Sequence, residues 1–194
     1  MSMDTHRHLR LVGGQHLFRV EDEVAQQLHI IQSGDIKLYQ NGRDGSQHIV
    51  DFLGPGAWVG LEALHQQRRQ VGAVALNTCQ VAAIPYPPPD GADAFNQRLS
   101  HAIARHQQHA VMLRSTSAIQ RVAQFLLQRE ASATLPMSRQ DMADYLGLTP
   151  STVSRCLGAL RRRGWLEIVQ RRYALPGRAE VGQMAQGRPL PLDD

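Results

Sequence analysis

Ser138-Arg139-Gln140-Asp141-Met142-Ala143-Asp144-Tyr145-Leu146-Gly147-Leu148-Thr149-Pro150-Ser151-Thr152-Val153-Ser154-Arg155 is the stretch on which the fold turns. A serine with an acidic residue three places later predicts a helix start, a variant of the capping box. Met142, Ala143, Tyr145 and Leu146 supply that helix with an apolar face. Gly147 predicts a sharp turn, because glycine enters the left-handed conformation at little cost. Thr149 then caps a second helix, and Pro150 takes its first position, where a missing N–H costs nothing. Val153, Cys156, Leu157 and Leu160 are spaced as one inward face. Ser151, Thr152, Ser154 and Arg155 are left outside, within the first two turns. Two helices around a tight glycine turn, the second opening on polar residues, predict a helix-turn-helix.

The reading extends in both directions. Downstream, Arg161-Arg162-Arg163-Gly164 leads into Leu166-Glu167-Ile168-Val169, then Gln170-Arg171-Arg172 and Tyr173-Ala174-Leu175. That is strand, basic turn, strand: a wing. Seven arginines and a single acid, Glu167, fall between Arg155 and Arg178, although the whole chain carries only +4 net. Such a local basic cluster suits a phosphate backbone. Arg155 is the expected reader of guanine, since its fork bonds O6 and N7 together, with Ser151 and Ser154 beside it. Ser138, Thr149, Thr152, Arg161, Arg171 and Arg172 are expected on the DNA backbone, where contacts position without specifying. Cys156 reads as a small core residue and Trp165 as packing within the domain.

Upstream, the texture from residue 17 to 86 is β. Apolar runs at 28–31, 36–39, 49–53 and 71–76 are punctuated by Ser33-Gly34-Asp35, Asn41-Gly42, Asp44-Gly45 and Gly54-Pro55-Gly56, as in an antiparallel sandwich or barrel. Pro85, Pro87, Pro88 and Pro89 end it. From about 92 to 128 there is neither Pro nor Gly, and apolar residues including Ile103, Ala110, Val111, Leu113 and Ile119 recur at helical spacing. A helix of that length between two domains invites pairing with a second copy of itself, with a break expected near 114–117. The polar start, residues 1–10, reads as a loose arm. The expected class is α+β: a β sensor domain over 1–91, a dimerisation helix over 92–120, a winged helix-turn-helix over 121–177 and a tail over 178–194.

The quoted stretch, from Met137 to Arg155, closely resembles the signature of the CRP/FNR superfamily of transcription factors. Ser33-Gly34-Asp35-Ile36-Lys37-Leu38-Tyr39 and Phe52-Leu53-Gly54-Pro55-Gly56-Ala57-Trp58-Val59-Gly60 resemble strands of its cyclic-nucleotide-binding-type jelly roll. Arg121-Val122-Ala123-Gln124-Phe125-Leu126-Leu127 resembles the start of its DNA-binding domain. The resemblance implies a homodimer that senses a small signal and binds palindromic promoter DNA, with RNA polymerase as a further partner. It also brings departures. The family's first helices and one early strand are short or absent. Cyclic-AMP-binding members hold ribose and phosphate with a Gly-Glu pair and an Arg-Ser pair; here Gly60 precedes Leu61, with Glu62 one place late, and Arg69 precedes Gln70. A one-residue slip reverses a side chain's face in a strand, so the pattern argues against cyclic AMP. Gly60, Glu62 and Arg69 remain the candidates for another effector. Ser151 replaces a glutamate common in the family, whereas Ser154 and Arg155 match the FNR-like pattern.

Composition narrows the alternatives. Two cysteines, Cys79 and Cys156, cannot supply four thiolates for an iron–sulfur cluster. Placed in different domains, they are not expected to pair. No apolar run reaches membrane-spanning length, so a cytoplasmic protein without a membrane partner is expected. A cupin-like metalloenzyme would need a His-x-His pair among its strands, but His16, His29, His48 and His65 are scattered. No spacing singles out a haem ligand, no metal site is expected, and an enzyme is not the reading. The alternative kept open is an effector-independent regulator whose β domain serves as a scaffold or polymerase-contact surface.

Overall fold

A computed structural model describes residues 7–25, 27–43, 45–64, 66–88, 91–129, 135–170 and 172–188. The chain divides into two compact units, Met1–Arg105 and His106–Asp194. Among its described residues the first holds eight strands: β1 (Arg7–Leu11), β2 (His16–Phe18), β3 (Gln27–Ser33), β4 (Ile36–Asn41), β5 (Gln47–Leu53), β6 (Trp58–Val59), β7 (Gly72–Ala75) and β8 (Cys79–Pro85). They form two antiparallel four-stranded sheets, in the orders β1-β8-β3-β6 and β2-β7-β4-β5. Phe18, Ile31, Ile36, Leu38, Leu53, Val59, Val71 and Val81 fill the main core of this unit. Their alternation along short strands is what the sequence pattern anticipates. Leu28, Trp58 and Ile84 form a second cluster, joined by Tyr86 and Phe95.

One expectation is corrected at the N-terminus. Residues 7–10 were expected to lie in a loose arm, but they belong to β1, which pairs along its length with β8 from Arg7 opposite Ala83 to Leu11 opposite Cys79. Only Leu11 is buried in that strand. Arg7, His8 and Arg10 on an edge strand are the kind of charged covering that discourages edge-to-edge pairing, and they also hide the strand from a hydrophobicity pattern.

The helical region opens with α1 (Ala92–Ser115), which runs from the first unit into the second, and α2 (Ala118–Gln128). The break falls at Thr116–Ser117, where the Thr116 hydroxyl donates back to the Met112 carbonyl at 2.7 Å and Ser117 caps α2. The second unit continues with α3 (Arg139–Leu146), α4 (Pro150–Arg162), the hairpin of β9 (Glu167–Val169) and β10 (Arg172–Ala174), and α5 (Arg178–Ala185). The last element corrects another expectation, for residues 178–188 are not a tail. Val181, Met184 and Ala185 are buried, and the Gln124 amide donates to the Ala185 carbonyl at 2.9 Å, tying α5 to α2.

Candidate nucleic-acid interface

Each turn of this interface is fixed by a local device that the sequence announces. The Ser138 hydroxyl accepts from the Asp141 N–H at 3.0 Å, and the Asp141 carboxylate reaches back toward the Ser138 N–H at 3.4 Å. At the far end of α3, Gly147 stands at φ 61°, ψ 42°, the left-handed cap that stops a helix. Leu148 N–H returns to the Ala143 carbonyl at 2.8 Å. The Thr149 hydroxyl accepts from Thr152 N–H at 3.2 Å with Pro150 in the first turn of α4. Val153, Cys156, Leu157 and Leu160 are buried on α4. Ser151, Ser154 and Arg155 are exposed and Thr152 is half-buried, so the polar start of α4 faces outward as expected.

Arg155 is not loose on that face. One terminal nitrogen of its guanidinium donates to the Thr152 hydroxyl at 3.2 Å, and Thr152 Oγ1 lies 2.9 Å from Thr149 Oγ1, which is also 2.9 Å from Ser151 Oγ. Two hydroxyls, Thr149 and Thr152, therefore link the helix cap to the arginine, and Ser151 joins them at the cap. Arg161 is exposed at the end of α4, and Arg172 is exposed in the hairpin; Arg171 lies outside the described residues. Burial pushes the Cys156 thiol up, against the pull of Arg155, which suits an inert core thiol. Trp165 packs against Gly177, where an added Cβ would collide with the indole.

Two contributors were missed by the sequence reading. Arg139, the first residue of α3, is lowered from its ordinary pKa, first by partial burial and then by the charge of Arg161. Arg139 and Arg161, on different helices, thus feel one another's positive charge; the adjacency of Arg139 to its cap serine was the available signal. The other is Arg121. It donates to the Leu146 and Gly147 carbonyls at 3.0 and 3.3 Å, and to the Thr116 carbonyl at 3.2 Å. Nearby, His109 stacks on Tyr145 at 4.0 Å and its Nε2 lies 2.9 Å from the Tyr145 carbonyl. The carbonyls that the end of α3 leaves without helical partners are thereby met from α1 and α2. Arg121→Ala is expected to lower the stability of this unit by about 1.5–3 kcal/mol, the range for hydrogen bonds to a charged group. The measurement is a urea melt followed by helix content, and an unshifted midpoint would refute the capping role.

In the β unit, the three effector candidates are brought together. Arg69 is 3 % exposed, and its guanidinium lies 3.1 Å from a Glu62 carboxylate oxygen and 3.5 Å from the centre of the Phe18 ring. Gly60 stands at φ 101°, and a Cβ there would come within 3.3 Å of the same guanidinium. Burial pushes the Glu62 carboxyl up and the Arg69 guanidinium down, while each charge holds the other in place. Leu61 packs with the Trp58 cluster. The cation that would meet a cyclic phosphate is covered and neutralised from within, and the residue beside Gly60 is apolar. These residues do not fit the ribose and phosphate of cyclic AMP.

Comparison with known proteins agrees with this architecture. The Crp-like helix-turn-helix domain matches residues 120–180, and the cyclic nucleotide-binding domain matches residues 8–88. The nitrogen fixation regulation protein FixK of Bradyrhizobium diazoefficiens is 32 % identical over 92 % of this chain and 82 % of its own length. The chain belongs to the CRP/FNR family of transcription regulators. A fumarate and nitrate reduction regulatory protein of Vibrio cholerae is also 32 % identical, over 89 % of this chain and 76 % of its own length. The solved structure of FixK2 from Bradyrhizobium japonicum superimposes with a TM-score of 0.76 at 26 % identity, covering 92 % of this chain and 96 % of that one. For TTHB099 of Thermus thermophilus the TM-score is 0.79 at 20 % identity, over 93 % and 97 % of the two chains, a likeness of fold. Among the described residues no helix is long and apolar enough to cross a membrane. As a CRP/FNR-type regulator, the chain carries its helix-turn-helix domain in the second unit.

Proposed function

We propose that this CRP/FNR regulator binds a palindromic promoter site as a homodimer, Arg155 reading a guanine in each half. Ser151 and Ser154 contact adjacent bases or phosphates. Ser138, Thr149, Thr152, Arg161, Arg171 and Arg172 hold the DNA backbone, with Arg139 added to them. The observation that carries the reading is the outward Arg155, fixed to the cap of α4 through Thr152. RNA polymerase is the partner through which the bound dimer acts on transcription. Binding-site selection with the full chain should return two inverted half-sites spaced by about one helical turn, roughly 10 base pairs centre to centre. An asymmetric single motif would sink the dimeric reading.

The β unit in this proposal answers to a small effector other than cyclic AMP. The regulators of nitrogen fixation and of fumarate and nitrate reduction among the relatives favour a signal-responsive protein over the effector-independent alternative. Because Arg69 is already paired with Glu62, calorimetry with cyclic AMP should show no saturable heat. Micromolar binding accompanied by tighter DNA binding would overturn that expectation.

A further inference from the structure

Helix α1 presents two unlike faces over its second half. The exposed apolar residues Ile103 and Val111 mark one of them. At about 100° per residue, His109, Met112 and Leu113 fall on the other side, at the spacing of a helical stripe. Met112 is buried there, and His109 and Leu113 are half-buried. Leu113 Cδ2 lies 3.5 Å from the position a Cβ would take on Gly147, the residue that ends α3. That side of α1 is therefore turned toward α3, and the apolar stripe away from it.

The grip is centred on Tyr145, in the last turn of α3. The His109 ring lies flat on the Tyr145 ring, with centroids 4.0 Å apart and planes 7° from parallel. Its Nε2 is 2.9 Å from the Tyr145 carbonyl oxygen. A carbonyl only accepts, so this nitrogen carries a proton and donates. One side chain thus meets the same residue twice, by ring and by carbonyl, which fixes direction as well as distance. The Tyr145 side chain is buried and its ring also meets Phe125 at 5.8 Å, so it is held from α2 as well. Arg121 meets the next two carbonyls, but from α2, beyond the break that ends α1. His109 reaches α3 from the helix that carries the apolar stripe. Beyond Tyr145 the chain has little slack. Gly147 N–H donates to the Asp144 carbonyl at 3.1 Å, Leu148 N–H to the Ala143 carbonyl at 2.8 Å, and Thr149 already caps α4. A tilt of α3 at Tyr145 is therefore carried into α4 and Arg155.

We propose that His109 is a positioning residue for DNA reading, setting the half-site separation that the two α4 helices of a dimer accept. The role rests on the homodimeric, palindromic reading above: with the apolar stripe against its symmetry mate, the His109–Tyr145 contact fixes the angle between the two-fold axis and α4. One extra base pair moves a half-site by about 3.4 Å and turns it by about 35°, so a fixed angle selects one separation. The test measures affinity of the full chain for inverted half-sites whose separation changes one base pair at a time. The unmodified dimer should favour a single separation. His109→Ala should lose about tenfold of that preference, the worth of one hydrogen bond and one stacked ring pair. Its half-site motif, with the guanine assigned to Arg155, and its dimeric mass should stay as they were. His109→Gln keeps a donor and His109→Phe keeps the flat ring, so each should restore part of the preference, about threefold. An unchanged separation preference in His109→Ala overturns the proposal. So does an equal loss of affinity at every separation, which is what a purely stabilising contact gives. Should His109→Ala fail to fold, as judged by circular dichroism, the other two variants decide, and a wild-type preference in both overturns the role. A dimer that shows no separation preference before mutation overturns it too. A monomeric mass for the unmodified chain instead brings down the dimeric reading, and this role with it.

Discussion

Arg155→Ala is expected to cost about 1–3 kcal/mol of DNA-binding free energy per half-site and to erase preference at one base pair in each. Across a palindrome the two losses add, giving about 2–6 kcal/mol, because the half-sites share no contacts. The physical basis is positional. The core residues Val153, Cys156 and Leu157 fix the rotation of α4, Thr149 and Pro150 fix its start, and Thr152 holds the guanidinium toward that start. An arginine already ordered spends less entropy on forming its fork with guanine. Arg172→Ala is the contrasting variant. It should weaken all sequences alike and flatten the salt dependence by about one charge per half-site, as a phosphate contact does. Site selection with both variants at two salt concentrations separates the roles. An unchanged motif in Arg155→Ala together with an altered one in Arg172→Ala would assign base reading to the wing instead.

The helix-turn-helix was legible because every device that shapes it is local. Ser138, Gly147, Thr149 and Pro150 each act within three or four residues of their own position, and such signals survive in a single sequence. What escaped notice depends on partners far along the chain. Arg121 meets carbonyls 25 and 26 residues away, so nothing near it announces a cap. The α5 helix is short and holds Gly182; its order comes from burying Val181, Met184 and Ala185, not from propensity. β1 was hidden by Arg7, His8 and Arg10, which are the mark of an edge strand and look like the mark of a disordered arm. The Glu62–Arg69 pair was half legible: both residues were candidates, but only the left-handed turn at Gly60 and the short helical turn at Leu61–Ala63 show that they face one another.

Val111→Glu should convert the protein to monomers and, with them, remove most of its affinity for a full palindrome. Val111 is 63 % exposed and Ile103 50 % exposed on a single chain, a costly arrangement for large aliphatic side chains eight residues apart on one helix. Ala110, also exposed, lies between them on the same stripe and is small enough to let two helices approach. Covering that stripe with its own symmetry mate removes apolar surface from water on both copies at once. A glutamate at its centre would be buried opposite the same glutamate across the two-fold axis, so desolvation and like-charge repulsion act together. The seam cannot satisfy that pair by ionising both. Light scattering should give the mass of two chains for the unmodified protein at micromolar concentration and of one chain for the variant. Circular dichroism should be little changed, because position 111 is exposed within the chain. A monomer then holds one half-site at a time and loses the effective-concentration gain of the second contact, about 10²–10⁴ in affinity. A variant that stays dimeric with intact palindrome binding would show that the two copies meet elsewhere, and Ile103→Glu would tell whether any part of α1 is in the seam.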